Sequence, residues 1–262
     1  GQTANFTLYA IWSANALTIT YDAKGGTSVA NGTVNTAASI SSAPTAPTRT
    51  GYTFSAWSAT DGGTAITFPY AHGQTANFTL YALWTANSLT VTYDAKGGTS
   101  VTSGSVNTGA SIQSAPTAPT KSGYTLSGWS ATDGGTVVTF PYAHGQTANF
   151  TLYAIWAASA LTVTYDSQGG SAVSNGTVNT GASISTAPTA PTRSGYYFLG
   201  WSATTSGVTV SFPYSHGQTS NFTLYAIWTA GVYSTNLRVN LDATNRDSLA
   251  SGTPTVWRSI AP

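Results

Sequence analysis

Apolar and polar residues alternate without a break at Leu17-Thr18-Ile19-Thr20-Tyr21. Leu17, Ile19 and Tyr21 therefore face one way and Thr18 and Thr20 the other, the period-2 signature of a half-buried strand. Asp22-Ala23-Lys24-Gly25-Gly26 breaks the strand as a turn. Thr33-Val34-Asn35-Thr36 reads as a short second strand. Ala38-Ser39-Ile40-Ser41-Ser42 has room for one helical turn at most. Ala43-Pro44-Thr45-Ala46-Pro47 reads as an extended, polyproline-like crossing, because each proline lacks an N–H and steers the residue before it away from the helical region. Tyr52 to Trp57 is predicted as a third strand, Asp61-Gly62-Gly63 as a turn, and Thr64 to Phe68 as a fourth strand ending at Pro69. Phe78 to Trp84, rich in β-formers, is a fifth. No stretch of helical length carries an apolar period of 3.6, so the chain reads as mainly β.

The pattern then repeats. Gly-Gln-Thr-Ala-Asn-Phe-Thr-Leu-Tyr-Ala-Ile-Trp occupies residues 1–12 and returns with small changes at 73–84, 145–156 and 217–228, a period of 72 residues each time. Residues 1–72 and 73–144 agree at 57 of 72 positions. The exchanges are mild, such as Ile19 to Val91 and Phe54 to Leu126, as one core reproduced in each copy requires. The unit exceeds the roughly 20–50 residues of solenoid repeats and has the size of a small domain that folds alone. The expected organisation is therefore residues 1–12 as the closing strand of a preceding repeat and three modules at 13–84, 85–156 and 157–228. Residues 229–262 follow as a linker and the start of another domain. Connections of about four residues, Ser13–Ala16, Thr85–Ser88 and Ala157–Ala160, should limit bending between modules and favour an elongated rod.

These residues, in this order, resemble a known family. A strand with Tyr-Asp-Ala-Lys-Gly-Gly, a proline-containing crossing, Gly-Tyr-Thr-Phe-Ser-Ala-Trp and a closing Leu-Tyr-Ala-Leu-Trp are similar to the Listeria–Bacteroides repeat, or internalin B-repeat, over about residues 16–228. The resemblance implies small β-grasp-like modules, in tandem on bacterial surface proteins, with interaction or spacer roles. Its pattern falls on Gly51, Tyr52, Trp57, Tyr81 and Trp84, then on Gly123, Tyr124, Trp129, Tyr153 and Trp156, and finally on Gly195, Tyr196, Trp201, Tyr225 and Trp228. In the family these are structural positions, so the aromatic ones are expected in the core. The tail, with Leu237-Arg238-Val239-Asn240-Leu241-Asp242-Ala243 and Thr255-Val256-Trp257, resembles the opening of a concanavalin-like, laminin-G-type jelly roll. That implies a glycan- or protein-binding domain beyond it.

Composition narrows the function. The 262 residues are 41% apolar and 12% aromatic, enough for a core, yet only 6% are charged, against about 25% in ordinary soluble domains. There is no Glu, Cys or Met, and the net charge is +1. Disulfides and thiolate metal sites are excluded. No basic stripe exists for nucleic acid. The apolar runs fall far short of the ~20 residues of a membrane helix. The absence of Met and of a leader, with a start in mid-pattern, suggests an internal piece of a longer chain. Each module is neutral, with Asp22, Lys24, Arg49 and Asp61 in the first, Asp94, Lys96, Lys121 and Asp133 in the second, and Asp166 and Arg193 in the third. A surface of Ser, Thr, Asn, Gly and Ala offers little for salt to screen or pH to titrate, and little repulsion against lateral packing. This suits an extracellular stalk or fibre.

Candidate chemistry is sparse. Paired carboxylates could serve a hydrolase, but the Asp61 and Asp133 position is Thr205 in the third copy, and turn residues bonding their own backbone are the simpler reading. His72, His144 and His216, one per module, make no metal cluster and read as exposed loop residues. Lys24 and Lys96 could form isopeptide cross-links, but the third copy carries Gln168 there. The sequons at Asn5, Asn31, Asn77, Asn149, Asn175 and Asn221 are glycosylation acceptors only in a eukaryotic secretory chain. No cofactor is expected. Phe6, Leu8, Tyr9, Ile11 and Trp12 form a strand that needs a partner. That partner is either a neighbouring chain by strand addition or Leu17–Tyr21 through a Ser13–Ala16 turn. The function expected is a non-enzymatic, extracellular stalk of a bacterial surface protein, its partners being itself or neighbouring modules. The alternative is an adhesin that grips a glycan or a host or cell-surface protein through exposed aromatics or the tail. A third reading makes the modules accessories of a secreted hydrolase.

Overall fold

The computed structural model describes residues 5–231. The tail segments read as a jelly-roll start lie outside the described residues. The first repeat contains β1 (Ala16–Asp22), β2 (Gly32–Asn35), β3 (Ser39–Ile40), β4 (Tyr52–Ser58), β5 (Tyr70–Ala71) and β6 (Phe78–Ala86). The second contains β7 (Ser88–Asp94), β8 (Gly104–Asn107), β9 (Ser111–Ile112), β10 (Tyr124–Ser130), β11 (Tyr142–Ala143) and β12 (Phe150–Ala158). The third contains β13 (Ala160–Asp166), β14 (Gly176–Asn179), β15 (Ser183–Ile184), β16 (Tyr196–Ser202), β17 (Tyr214–Ser215) and β18 (Phe222–Ala230). No helix occurs among the described residues.

Each repeat closes its own four-stranded sheet. In the first the order is β2-β1-β6-β4, and the other two repeat it. The central pair is parallel, with Ile19 opposite Phe78, while β2 and β4 flank it antiparallel. A two-stranded ribbon, β3 with β5, accompanies the sheet. The expected strand over Thr64–Phe68 does not form. That run makes one bridge, Ser58 to Ala65, and turns at the cis Phe68–Pro69 bond before β5, so that Ile66 and Phe68 pack against the core. The possible helical turn at Ala38–Ser42 is β3. The described residues divide into two compact units. One holds the first two sheets together with Asn179–Gly181 and Gly217–Ser220, and the other holds most of the third repeat.

The cores follow the alternation. Leu17, Ile19 and Tyr21 point inward from β1, and Leu80 and Ala82 from β6. A β-bulge between Phe54 and Ala56 inserts one residue, which brings Phe54 and Trp57 onto the same face despite their odd spacing. Trp57, Trp129 and Trp201 are the largest fully buried side chains, and each meets a tyrosine ring edge-on, Tyr21, Tyr93 or Tyr165, at 5.0–5.1 Å. Their indole N–H groups have no hydrogen-bond partner. That costs about 1–3 kcal/mol each, less than the roughly 4–6 kcal/mol that burying so large a ring supplies at 25 cal/mol per Å2.

The other expected core aromatics divide. Trp84, Trp156 and Trp228 are half-buried and pack against the cores. Tyr81, Tyr153 and Tyr225 do not belong to the cores, because they alternate with inward Leu80 and Ala82 and their equivalents and so lie on the opposite sheet face. Tyr52 and Tyr124 are half-buried under a cation outside the cores, and Tyr196 is 42% exposed.

Burial pushes the hydroxyls of Tyr21, Tyr93 and Tyr165 above the ordinary tyrosine value. The unfolded chain ionises its tyrosines near pH ~10, and these three do so later in the folded state. Their contribution to stability is therefore intact below about pH 10 and falls as pH rises through their folded values. Urea midpoints measured from pH 8 to 11 should drop on the alkaline side. The combined Tyr→Phe changes at positions 21, 93 and 165 should flatten that drop.

Candidate functional site

Local contacts tie the ends of each repeat together. In the first turn Asp22 Oδ1 accepts the Lys24 N–H at 2.8 Å, which holds Lys24 at φ 48°. The Trp84 indole donates to the Ala23 carbonyl at 2.9 Å, and its ring lies where a Cβ on Gly26 would stand, 2.6 Å away. Trp156 and Trp228 repeat the bond to Ala95 and Ser167. The Gly-Gly turn and the closing Trp are thus two halves of one contact across 61 residues.

Two further residue types proved structural without a clear signal in the pattern. His72, His144 and His216 are buried, not exposed, and stack on Phe78, Phe150 and Phe222 at 4.9–5.0 Å. His72 Nδ1 accepts the Gln74 N–H at 2.9 Å, which leaves Nε2 to donate to the Asn35 carbonyl at 3.3 Å. His144 is held in the same way. Asn77, Asn149 and Asn221, noted in the sequence only as sequons, each accept a backbone N–H from the parallel strand beside them, at Thr18, Thr90 and Thr162, all at 2.8 Å. The only hint of these roles was their fixed place before each closing strand.

The carboxylates pair with lysine rather than with each other. Lys24 reaches Asp61 at 2.7 Å and Lys96 reaches Asp133 at 2.6 Å. The hydrogen bond to that aspartate, more than any other influence, raises each lysine above its ordinary value. Both pairs stand open to solvent, where such pairs add little. Among the described residues no three His, Cys, Asp or Glu side chains converge on a metal-sized site.

The most elaborate construction lies where one repeat meets the next. The connection expected to span four residues is a single one, since β6 ends at Ala86 and β7 begins at Ser88. Asn87 belongs to both ladders. Its N–H donates to the Gly51 carbonyl at 3.0 Å, the next rung of β4–β6, and its carbonyl accepts the Thr108 N–H at 2.9 Å, the next rung of β7–β8. The Thr53 hydroxyl donates to Asn87 Oδ1 at 2.7 Å. Around this residue Gly51, at φ +80°, packs on the second repeat, where a Cβ would stand 2.7 Å from Thr108 Cγ2 and 3.0 Å from Thr147 Cβ. The Tyr52 hydroxyl reaches across to Gly109. Arg49 stacks over the Tyr52 ring, 3.8 Å from its centroid. Within the same compact unit Gly123 meets Thr180 and Thr219 in the same way, and Ser159 takes the place of Asn87.

Segment 5–12 makes no strand. Phe6, Leu8, Tyr9, Ile11 and Trp12 are 69–97% exposed, so the hairpin with Leu17–Tyr21 is not formed.

Such a chain is a tandem-repeat β protein whose repeats are joined by shared hydrogen-bond ladders instead of loops. It belongs to the Listeria-Bacteroides repeat domain family, whose model matches residues 18–83, 90–155 and 162–227. Two relatives come from Evansella cellulosilytica. A "putative membrane protein" is 31% identical over 92% of this chain and 35% of its own length, and a "putative Gly-rich membrane protein" is 29% identical over 89% of this chain and 27% of its own. Internalin H of Listeria monocytogenes is 44% identical over 42% of this chain and 20% of its own length. The chain thus spans about a third or less of the relatives it matches.

Gly51→Ala should cost about 2–4 kcal/mol, from the left-handed backbone and the collision with Thr108 and Thr147. Gly62→Ala, also left-handed at φ +68° but with nothing within 4 Å, carries the backbone cost alone. The difference between the two in urea unfolding measures the contact with the next repeat.

Proposed function

We propose that this chain is a non-enzymatic spacer segment of a larger bacterial surface protein, a stiff and nearly neutral stalk outside the cell. The carrying observation is Asn87, one residue that completes the ladders of two successive sheets. A repeat hung on a loop could swing, whereas a repeat hung on a shared rung must break hydrogen bonds to do so. The sheet order, with a central parallel pair and an antiparallel strand on each side, supports a β-grasp-like module, and the short connection supports a rod. The names of the relatives, two putative membrane proteins and an internalin, favour the surface over the cytoplasm. Open Lys–Asp pairs and buried histidines favour a structural role over a catalytic one.

Self-association is the second part of the reading. Phe6, Leu8, Tyr9, Ile11 and Trp12 are exposed in a segment whose sequence Asn5–Trp12 is the same as Asn149–Trp156 and Asn221–Trp228, which run as central strands. Such a segment has the composition to pair with a neighbouring module by strand addition. The adhesin reading keeps one foothold, the exposed rings of Tyr196 and Tyr197 in the third repeat.

Small-angle scattering tests the stalk. The chain should give the profile of an extended particle one module in cross-section, unchanged between 20 mM and 1 M salt because almost no charge is present to screen. A compact profile, or a collection of widely varying shapes, would sink the proposal. A glycan array bound through Tyr196 and Tyr197 would favour the adhesin instead.

A further inference from the structure

The joint contains a size-matched contact at a position where the first repeat carries a larger residue. Thr108 and Gly109 in the second repeat, and Thr180 and Gly181, stand where the first has Thr36 and Ala37. All three positions adopt the same left-handed turn, with φ +78° at Gly109 and Gly181 and φ +64° at Ala37. The turn's own hydrogen bond is the same length at Ala38 to Asn35 and at Ala110 to Asn107, 3.0 Å. The backbone therefore does not require glycine here, because Ala37 makes the turn with a Cβ in place.

What differs is the neighbour. A Cβ on Gly109 would stand 2.9 Å from the Tyr52 hydroxyl of the repeat before it, and a Cβ on Gly181 3.3 Å from the Tyr124 hydroxyl. Both distances are closer than a methyl group and a phenol oxygen approach comfortably. Arg49 lies over the Tyr52 ring, 3.8 Å from its centroid, so moving the hydroxyl aside disturbs that stack as well.

We infer that the residue after the joint threonine selects how a repeat receives the one before it: glycine admits the tyrosine hydroxyl and latches the joint, and alanine refuses it. The front face of the first repeat, with Ala37, therefore does not seat a repeat of this kind in the latched geometry, and the connection ahead of it works as a hinge. The partner that fits the glycine face is the Gly-Tyr corner of another such repeat. This deepens the spacer reading and rests on it, since it places stiff and loose joints within one stalk.

The absence of native cysteine permits a clean test. Thr64 and Thr136 are exposed and one period apart, so the full chain carrying Thr64→Cys and Thr136→Cys can be spin-labelled and its label–label distance distribution measured by pulsed EPR. The parent distribution should be narrow; a broad one would overturn the spacer reading itself. On a narrow parent, Gly109→Ala, which gives the second repeat the front face of the first, should broaden the distribution at least twofold. Tyr52→Phe, which removes the hydroxyl, should leave it narrow alone and restore it when combined with Gly109→Ala. A Gly109→Ala chain that stays as narrow as the parent overturns the latch while leaving the stalk intact. Failure of Tyr52→Phe to restore it, or failure of Gly109→Ala to fold, would show that the backbone and not the tyrosine demands glycine, and the latch falls.

Discussion

Everything in this architecture depends on one residue serving two ladders. The Asn87 amide closes the first sheet on Gly51 while its carbonyl opens the second on Thr108. Neither hydrogen bond is strong by itself, about 1 kcal/mol net. Their effect is geometric, since the direction in which the first sheet ends is the direction in which the second begins. The glycine at position 51 follows from this. Once the two sheets share a rung, the corner before β4 is pressed against Thr108 and Thr147, and no side chain fits.

The same economy runs inside each repeat. The closing Trp84 covers Gly26 and bonds Ala23, so the last strand fastens the first turn. His72 fastens the chain before β6 to the end of β2, and Asn77 fastens β6 to β1. These are contacts among uncharged groups. With 6% of residues charged, the fold has few ion pairs to use, and polar work falls on amides, hydroxyls and imidazoles that salt does not screen. A repeat array held this way keeps its joint contacts over a wide range of ionic strength.

Much of this was legible in the chain. The alternation at Leu17–Tyr21 and the run at Phe78–Trp84 announced β1 and β6, and the Gly and Pro punctuation marked their ends. Period 2 also explains why Tyr81 leaves the core, since Leu80 and Ala82 claim the inner face. The partnership of strands was not legible. Alternation shows which face is buried but not which strand lies alongside, so the parallel β1–β6 pair, and with it the role of Asn77, stayed hidden. The bulge that turns Trp57 inward changes the count by one residue and leaves no mark in composition. His72 reads as a loop residue because its burial comes from Phe78 stacking on it, a contact made only after β6 is in place. The joint was read as four residues long because β6 and β7 run on through Thr85, Ala86 and Ser88, none of which is strongly apolar.

Near-identical repeats in series invite mispairing, since each first strand could join the wrong closing strand. β7 follows directly on β6, and an antiparallel hairpin between them would be the most local pairing available. With β6 and β7 at their full lengths the single connecting residue leaves no room for it, because a hairpin needs about two residues to reverse the chain. β7 must therefore continue past β6 and find β12, its parallel partner from its own repeat. Had the connection been the four residues that the sequence suggested, the local hairpin would have been sterically open and the register of the whole array ambiguous. In the folded chain the one-residue connection and the pairing of β7 within its own repeat go together.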